Sequence, residues 1–140
     1  MPHPTQLLIF NLADQCFALS LAVVARVVRA VEVTPAPEAS PAVWGLINVQ
    51  GQVMPVVNLR HCLKLPQRAI VASDRFVLVR TATRSLALVV DDIREVITET
   101  SGHRYSVEPM IPSTTYVTVI TKFENKVIPI LSLDPLLAQI

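Results

Sequence analysis

Two stretches of this chain repeat each other in the same order, and that repeat constrains the fold more than any other feature. Phe17–Val28 (FALSLAVVARVV) lies over Leu86–Ile97 (LALVVDDIREVI). Further on, Gly51–Leu59 (GQVMPVVNL) lies over Asn125–Leu133 (NKVIPILSL). The first pair reads as a strand, a short turn and a second strand. The second pair reads as a turn, a strand with a proline at the same place, and a polar helix-cap candidate, Asn58 or Ser132. The expectation is two small β units in tandem, at about residues 6–66 and 75–140. Each unit alone is near the lower limit for independent stability, so packing the two together would supply a shared core. A proline inside a recurring strand predicts an edge or a bulge, and small barrels with bulged corners fit this better than a flat sheet.

The rest of the chain agrees with an all-β reading. Apolar runs are short and rich in β-branched residues, such as Leu7–Phe10, Phe76–Val79 and Leu86–Val90. Short helices are expected near 60–65 and 133–140. Residues 33–41, 64–75 and 99–115 read as loops. Eleven prolines against three glycines suit rigid connections.

Composition narrows the function. Of the 140 residues, 51% are apolar and 16% charged, with a net charge of +1. Disorder needs the opposite balance. A nucleic-acid partner needs a basic excess that this chain lacks, and 5% aromatics are too few for a base-stacking platform. The longest charge-free stretch, Ala39–Leu59, is broken by Pro41, Gly45, Asn48, Gln50, Gly51, Gln52, Pro55 and Asn58, so no direct membrane insertion is expected. The start of the chain lacks the basic n-region of a signal peptide. Cys16 and Cys62 lack metal-ligand spacing and sit in apolar runs, so they read as buried hydrophobes in a reducing compartment.

No catalytic constellation stands out. His3, His61 and His103 are far apart and read as solvated. Asp91-Asp92 falls in the turn of the repeat, where Asp favours local hydrogen bonding over metal or acid–base work. No nucleophile elbow, P-loop or dinucleotide fingerprint is present. The expectation is therefore no catalytic residue, no metal and no cofactor. A small ligand-binding or enzymatic β-barrel is the alternative, and would require a pocket near Asp91, Asp92 or His61.

The segment Gly45–Arg60 (GLINVQGQVMPVVNLR) resembles the CheW family, whose pattern runs Gly-hydrophobic-Ile-Asn-Leu-Arg-Gly, a strand with Pro-Val, then Asp-Leu-Arg. Val89–Val96 (VVDDIREV) is similar to that family's Val-Asp-x-Val-x-Glu-Val segment, and Phe17–Leu21 with Val24–Arg29 to its opening segment. The resemblance covers about residues 6–137. It implies one all-β domain of two five-stranded SH3-like barrels sharing a core. It implies a non-catalytic cytoplasmic adaptor, recruited to receptor arrays, for chemotaxis or a pilus-type system. Its partners would be the regulatory domain of a CheA-type histidine kinase and the cytoplasmic tip of a methyl-accepting chemoreceptor, the latter in a groove between the barrels.

Three positions depart from the family pattern. Gln50 stands in place of arginine, Arg26 in place of glutamate, and Val119 in place of a glycine before the last hairpin. Where the family would pair opposite charges, this chain would pair Arg26 with neutral Gln50. The candidate partner-binding residues are Val24, Arg26, Arg29, Trp44, Asn48, Val49, Gln50, Gly51 and Ile93. Val24 and Ile93 occupy equivalent repeat positions beside the inter-barrel region, where shared-core packing is the competing role. For Trp44 the competing role is likewise packing, and for Asn48, Gln50 and Gly51 it is turn geometry.

Overall fold

The computed structural model describes residues 5–36, 39–99, 103–107 and 116–138. Eleven strands form two sheets. The strands are β1 (Thr5–Leu12), β2 (Gln15–Ser20), β3 (Val24–Arg29), β4 (Val43–Val49), β5 (Gln52–Val57), β6 (Arg75–Arg80), β7 (Ser85–Val90), β8 (Asp92–Glu99), β9 (Arg104–Ser106), β10 (Val117–Phe123) and β11 (Lys126–Leu131). Two short helices follow β5 and β11: α1 (Leu59–Cys62) and α2 (Leu133–Leu137). Both are shorter than the spans expected from sequence, and residues 139–140 and His3 lie outside the described residues. Most of the expected loop at 99–115 also lies outside them, but within it β9 adds a short strand.

The sheets follow the repeat in register but not in connectivity. One sheet runs β8-β1-β2-β11-β10-β9 and the other β3-β6-β7-β5-β4. The first hairpin, β1–β2, therefore joins the strands of the second half, while β6–β7 joins those of the first. Equivalent pairings confirm the symmetry. Ala18 meets Ile130 in a parallel contact of one sheet, and Ala87 meets Val56 in the other. Bulges fall at Val24/Arg26 and at Ile9/Phe10 opposite Ile93, and again at Val43/Gly45 and Val117/Val119. The expected division into units 6–66 and 75–140 thus describes the sequence repeat, and each sheet is assembled from both units. A repeat pattern is satisfied equally by pairing within a copy or between copies, so it does not choose between them.

The two prolines stand in interior strands rather than on edges. Pro55 and Pro129 each come one residue before the short parallel pairing begins, so the missing N–H costs no ladder bond. Three tight turns, Ala13-Asp14, Gln50-Gly51 and Glu124-Asn125, have positive φ at both central residues, as two-residue type I′ hairpins require.

The core has three parts. The largest lies between the sheets and contains Leu8, Phe10, Phe17, Leu19, Val57, Leu59, Val77, Leu86, Leu88 and Leu136. Phe10 and Phe17 face each other across the β1–β2 ladder with ring centroids 6.1 Å apart. Each barrel adds its own interior, Ile47, Met54, Phe76 and Leu78 in one and Leu7, Ile9, Ile97 and Ile128 in the other. Cys62 is buried in the shared core, and burial pushes its thiol pKa up against a smaller pull from the Tyr116 hydroxyl. Cys16 is partly buried and its Sγ lies 3.4 Å from Asn11 Oδ1.

Candidate functional site

The chain passes from one sheet to the other at two places, and both carry candidate residues. The first is a 3-10 turn, Leu21–Val23, between β2 and β3. The second is Asp91, between β7 and β8.

At the first crossing, an open groove of about 630 Å³ is lined by Ala22, Val23, Val24, Ala25, Arg80, Thr81 and Ala82. Val24 is half-buried and packs on the shared core from the groove floor. Its repeat equivalent Ile93 also packs on the shared core, opposite Phe10. Next to this groove the mouth of the β3–β7 barrel forms a cleft of about 260 Å³. Its lining includes Arg26, Val49, Gln50, Gln52, Arg80 and Ser85, over Met54 and Leu78. Here Arg26 Nη1 donates to Gln50 Oε1 at 2.8 Å, the pairing expected from the two departures. Asn48 Oδ1 accepts the Gly51 N–H at 2.9 Å and fixes the hairpin that presents Gln50. Gln50 holds φ +52, a left-handed conformation uncommon for a residue with a side chain.

Two candidates lie elsewhere. Arg29 ends β3 in register with Arg75, and the two-residue alternation of a strand points it away from the face of Arg26. Trp44 is the second residue of β4, about 20 Å along the chain from Gln50 at roughly 3.3 Å per residue. It is partly buried against the β3–β7 barrel interior, in the packing role. Val119 keeps the bulge of its glycine counterpart because its neighbour there is an ordinary antiparallel strand, paired at Ser106. Gly45 is different. It holds φ +150, and a Cβ there would sit 2.1 Å from the Thr34 carbonyl oxygen. Thr34 and Leu46 exchange two backbone hydrogen bonds of 2.8 Å across this contact.

The second crossing is an ionic network that sequence reasoning reduced to turn chemistry. Arg60 Nη2 donates to both oxygens of Asp91, at 3.0 and 2.9 Å. Arg68 Nη2 donates to Asp91 Oδ1 at 2.8 Å, and Arg68 grips Asp74 with two bonds of 2.9 and 2.7 Å. Asp91 also accepts the Ala13 N–H at 2.9 Å, from the tip of the β1–β2 hairpin. The network therefore ties α1, residues 68–74 and both sheets to one carboxylate. Burial alone would raise the Asp74 pKa, but the Arg68 hydrogen bonds, the Val71 N–H and the charges of Arg68 and Arg60 hold it below the ordinary carboxylate value. Asp92 instead accepts from the following N–H, that of Ile93. The crevice beside Asp91, Trp44 and Asn58 encloses about 10 Å³, barely the space of one water. That crevice is too small for the ligand that a ligand-binding or enzymatic barrel would hold there. Asn58 caps α1 by accepting the His61 N–H at 3.2 Å, as expected, whereas Ser132 makes no such bond and meets Thr118. His61 and His103 are exposed. Among the described residues, no group of three or more His, Cys, Asp or Glu side chains is placed to hold a metal, and no helix is long and apolar enough to cross a membrane.

Comparison with known proteins bears on this architecture directly. Residues 6–140 match the CheW-like domain family. A chemotaxis protein CheW from Bacillus subtilis (strain 168) is 26% identical over 134 residues, covering 94% of this chain and 86% of that protein. A chemotaxis protein CheW from Treponema pallidum (strain Nichols) is 26% identical over 96 residues, covering 66% of this chain and 56% of that protein. The crystal structure of the scaffolding protein TtCheW from Thermoanaerobacter tengcongensis superposes with a TM-score of 0.81 at 28% identity, over 95% of this chain and 87% of that one. The interleaved two-barrel fold and the family match over almost the whole chain lead to one conclusion: this chain belongs to the CheW-like domain family.

Proposed function

We propose that this chain is a coupling adaptor that joins chemoreceptors to a CheA-type histidine kinase in a chemosensory array. It acts by scaffolding rather than by chemistry. The observation that carries this reading is the family match over residues 6–140, supported by a fold shared with a scaffolding protein of that family. The apolar groove over the 3-10 turn Leu21–Val23 is suited to a receptor hairpin, because it exposes small aliphatic surface at the junction of the two barrels. Val24 serves both sides of that surface, the core beneath and the partner above. Asn48, Val49, Gln50 and Gly51 form the rim beside it. Ile93, Trp44 and Arg29 lie outside this surface, the first two as packing residues. Kinase contact falls away from this rim, on outward strand edges at the barrel ends that offer unpaired backbone groups. The adaptor works in the cytoplasm and reaches the membrane only through the receptors it binds.

Titration calorimetry against the cognate kinase regulatory domain and a receptor cytoplasmic fragment tests the reading. Binding to both, each well below 100 µM, is expected. Absence of binding to either at that concentration removes the adaptor role, since it leaves less than about 5.5 kcal/mol of association energy.

A further inference from the structure

The mouth of the β3–β7 barrel is cationic, and no carboxylate among the described residues neutralises it. Arg26 lies opposite Leu78 in the β3–β6 ladder. Arg80 is two residues beyond Leu78, on the same face of β6. The two arginines are therefore diagonal cross-strand neighbours, roughly 7–8 Å apart at their origins and within reach of one another's long side chains. Both line the same cleft, whose other polar members, Gln50, Gln52 and Ser85, are neutral. Gln50 accepts one bond from Arg26, and Gln52 Nε2 donates to Ser85 Oγ at 3.1 Å. Among the described residues, no carboxylate pairs with either Arg26 or Arg80. Two like charges over a buried floor of Leu78 and Met54 repel each other at rest, and a shared anion relieves that repulsion. The planar guanidinium fork favours a carboxylate.

The cleft is also continuous with the apolar groove, since both are lined by Ala25 and Arg80. We infer that this rim recognises an acidic side chain on the receptor hairpin, seated between Arg26 and Arg80 while an adjacent aliphatic residue enters the groove beside Val24. The inference rests on the adaptor reading and adds the charge of the partner. It makes Arg26 a specificity determinant: a receptor carrying a basic residue at the contact is rejected by like charge.

The test uses the full chain, a receptor cytoplasmic hairpin fragment and the kinase regulatory domain, each titrated separately at 50 and 300 mM salt. The variants are the double R26Q/R80Q, which removes charge without altering exposed packing, and R26E/R80E. Receptor affinity should fall about tenfold in the first and further in the second, with loss of most of the salt dependence and unchanged kinase affinity. Retained kinase binding also reports that the variants are folded. Unchanged receptor affinity and salt dependence in R26E/R80E overturns the inference while leaving the adaptor reading intact. A loss confined to kinase binding also overturns it, by moving the acidic partner to the kinase. Failure of the unmodified chain to bind the receptor fragment removes both.

Discussion

Replacing Asp91 by alanine should cost about 3 kcal/mol, and the value can be built from its partners. The carboxylate is 26% exposed and the Arg60 side chain 12%, so their two-oxygen contact is neither a surface pair nor a fully buried one. A charged hydrogen-bonded pair in that position contributes about 1.5 kcal/mol, the low end of the range for charged partners. The Ala13 N–H, left partly buried with no acceptor, adds about 1 kcal/mol. The Arg68 arm adds only a few tenths, because Arg68 is 35% exposed and keeps its grip on Asp74. For a domain of this size, about 3 kcal/mol lowers the Tm by roughly 10 °C. Urea unfolding and differential scanning calorimetry read both quantities. Asp91→Asn should lose about half as much, since it keeps an acceptor for Ala13, and Asp92→Ala should stay within about 0.5 kcal/mol as the neighbouring control. A cost for Asp91→Ala below about 1 kcal/mol, or equal to that of Asp92→Ala, would refute the view that this carboxylate clasps the two sheets.

Other predictions follow from single sites. The depressed pKa of Asp74 means that its stabilisation is complete above the ordinary carboxylate value of about 4 and is lost as pH falls through its lower folded value. Stability measured by urea from pH 7 to 3 should therefore drop in the acid range, and Asp74→Asn should lower the neutral plateau and flatten that drop. Gly45→Ala should cost more than about 3 kcal/mol, because its Cβ would strike backbone rather than a movable side chain. Gly51→Ala has open space and should cost only about 1–2 kcal/mol from its φ of +85. Ala13→Gly relieves a φ of +51 and should raise stability by about 0.5 kcal/mol after the added freedom of the unfolded chain is deducted.

Much of the fold could be read from residue order because its determinants are local. Runs such as Phe76–Val79, the turn at Gln50-Gly51 and the cap at Asn58 each carry their own geometry, and the repeat aligned Val24 with Ile93 before their shared packing was visible. Pairing across the chain is not local. Leu86 looks the same whether its sheet is completed by β5 or by β11, so the exchange of hairpins had no signature. The site divided in the same way. Arg26 and Gln50 were singled out by departure from a pattern, and they do meet. The Asp91 network joins Ala13, Arg60, Arg68 and Asp74, residues up to 78 positions apart, and only the folded chain brings them together. Its signal in the sequence was limited to Asp91 in the turn of the repeat, with nothing to mark Arg60 or Arg68 as its partners. Arg80 had no distinguishing context at all until its strand was placed beside Arg26.

The interleaving of the sheets sets an order of events during synthesis. Strands β3 to β7 are contiguous, so one barrel has all its members once residue 90 has left the ribosome. The β1–β2 hairpin emerges first and finishes last. Its flank at Ala18 waits for Ile130, and its other flank waits for β8. At 5–20 residues per second that wait is on the order of ten seconds. Until β8 emerges, the run Leu7–Phe10 is paired with β2 alone, although it ends among the most deeply buried segments of the protein. The earliest-made hairpin of this domain is thus the one most exposed to wrong pairing, and the cell must keep it apart from its neighbours until the last strand arrives.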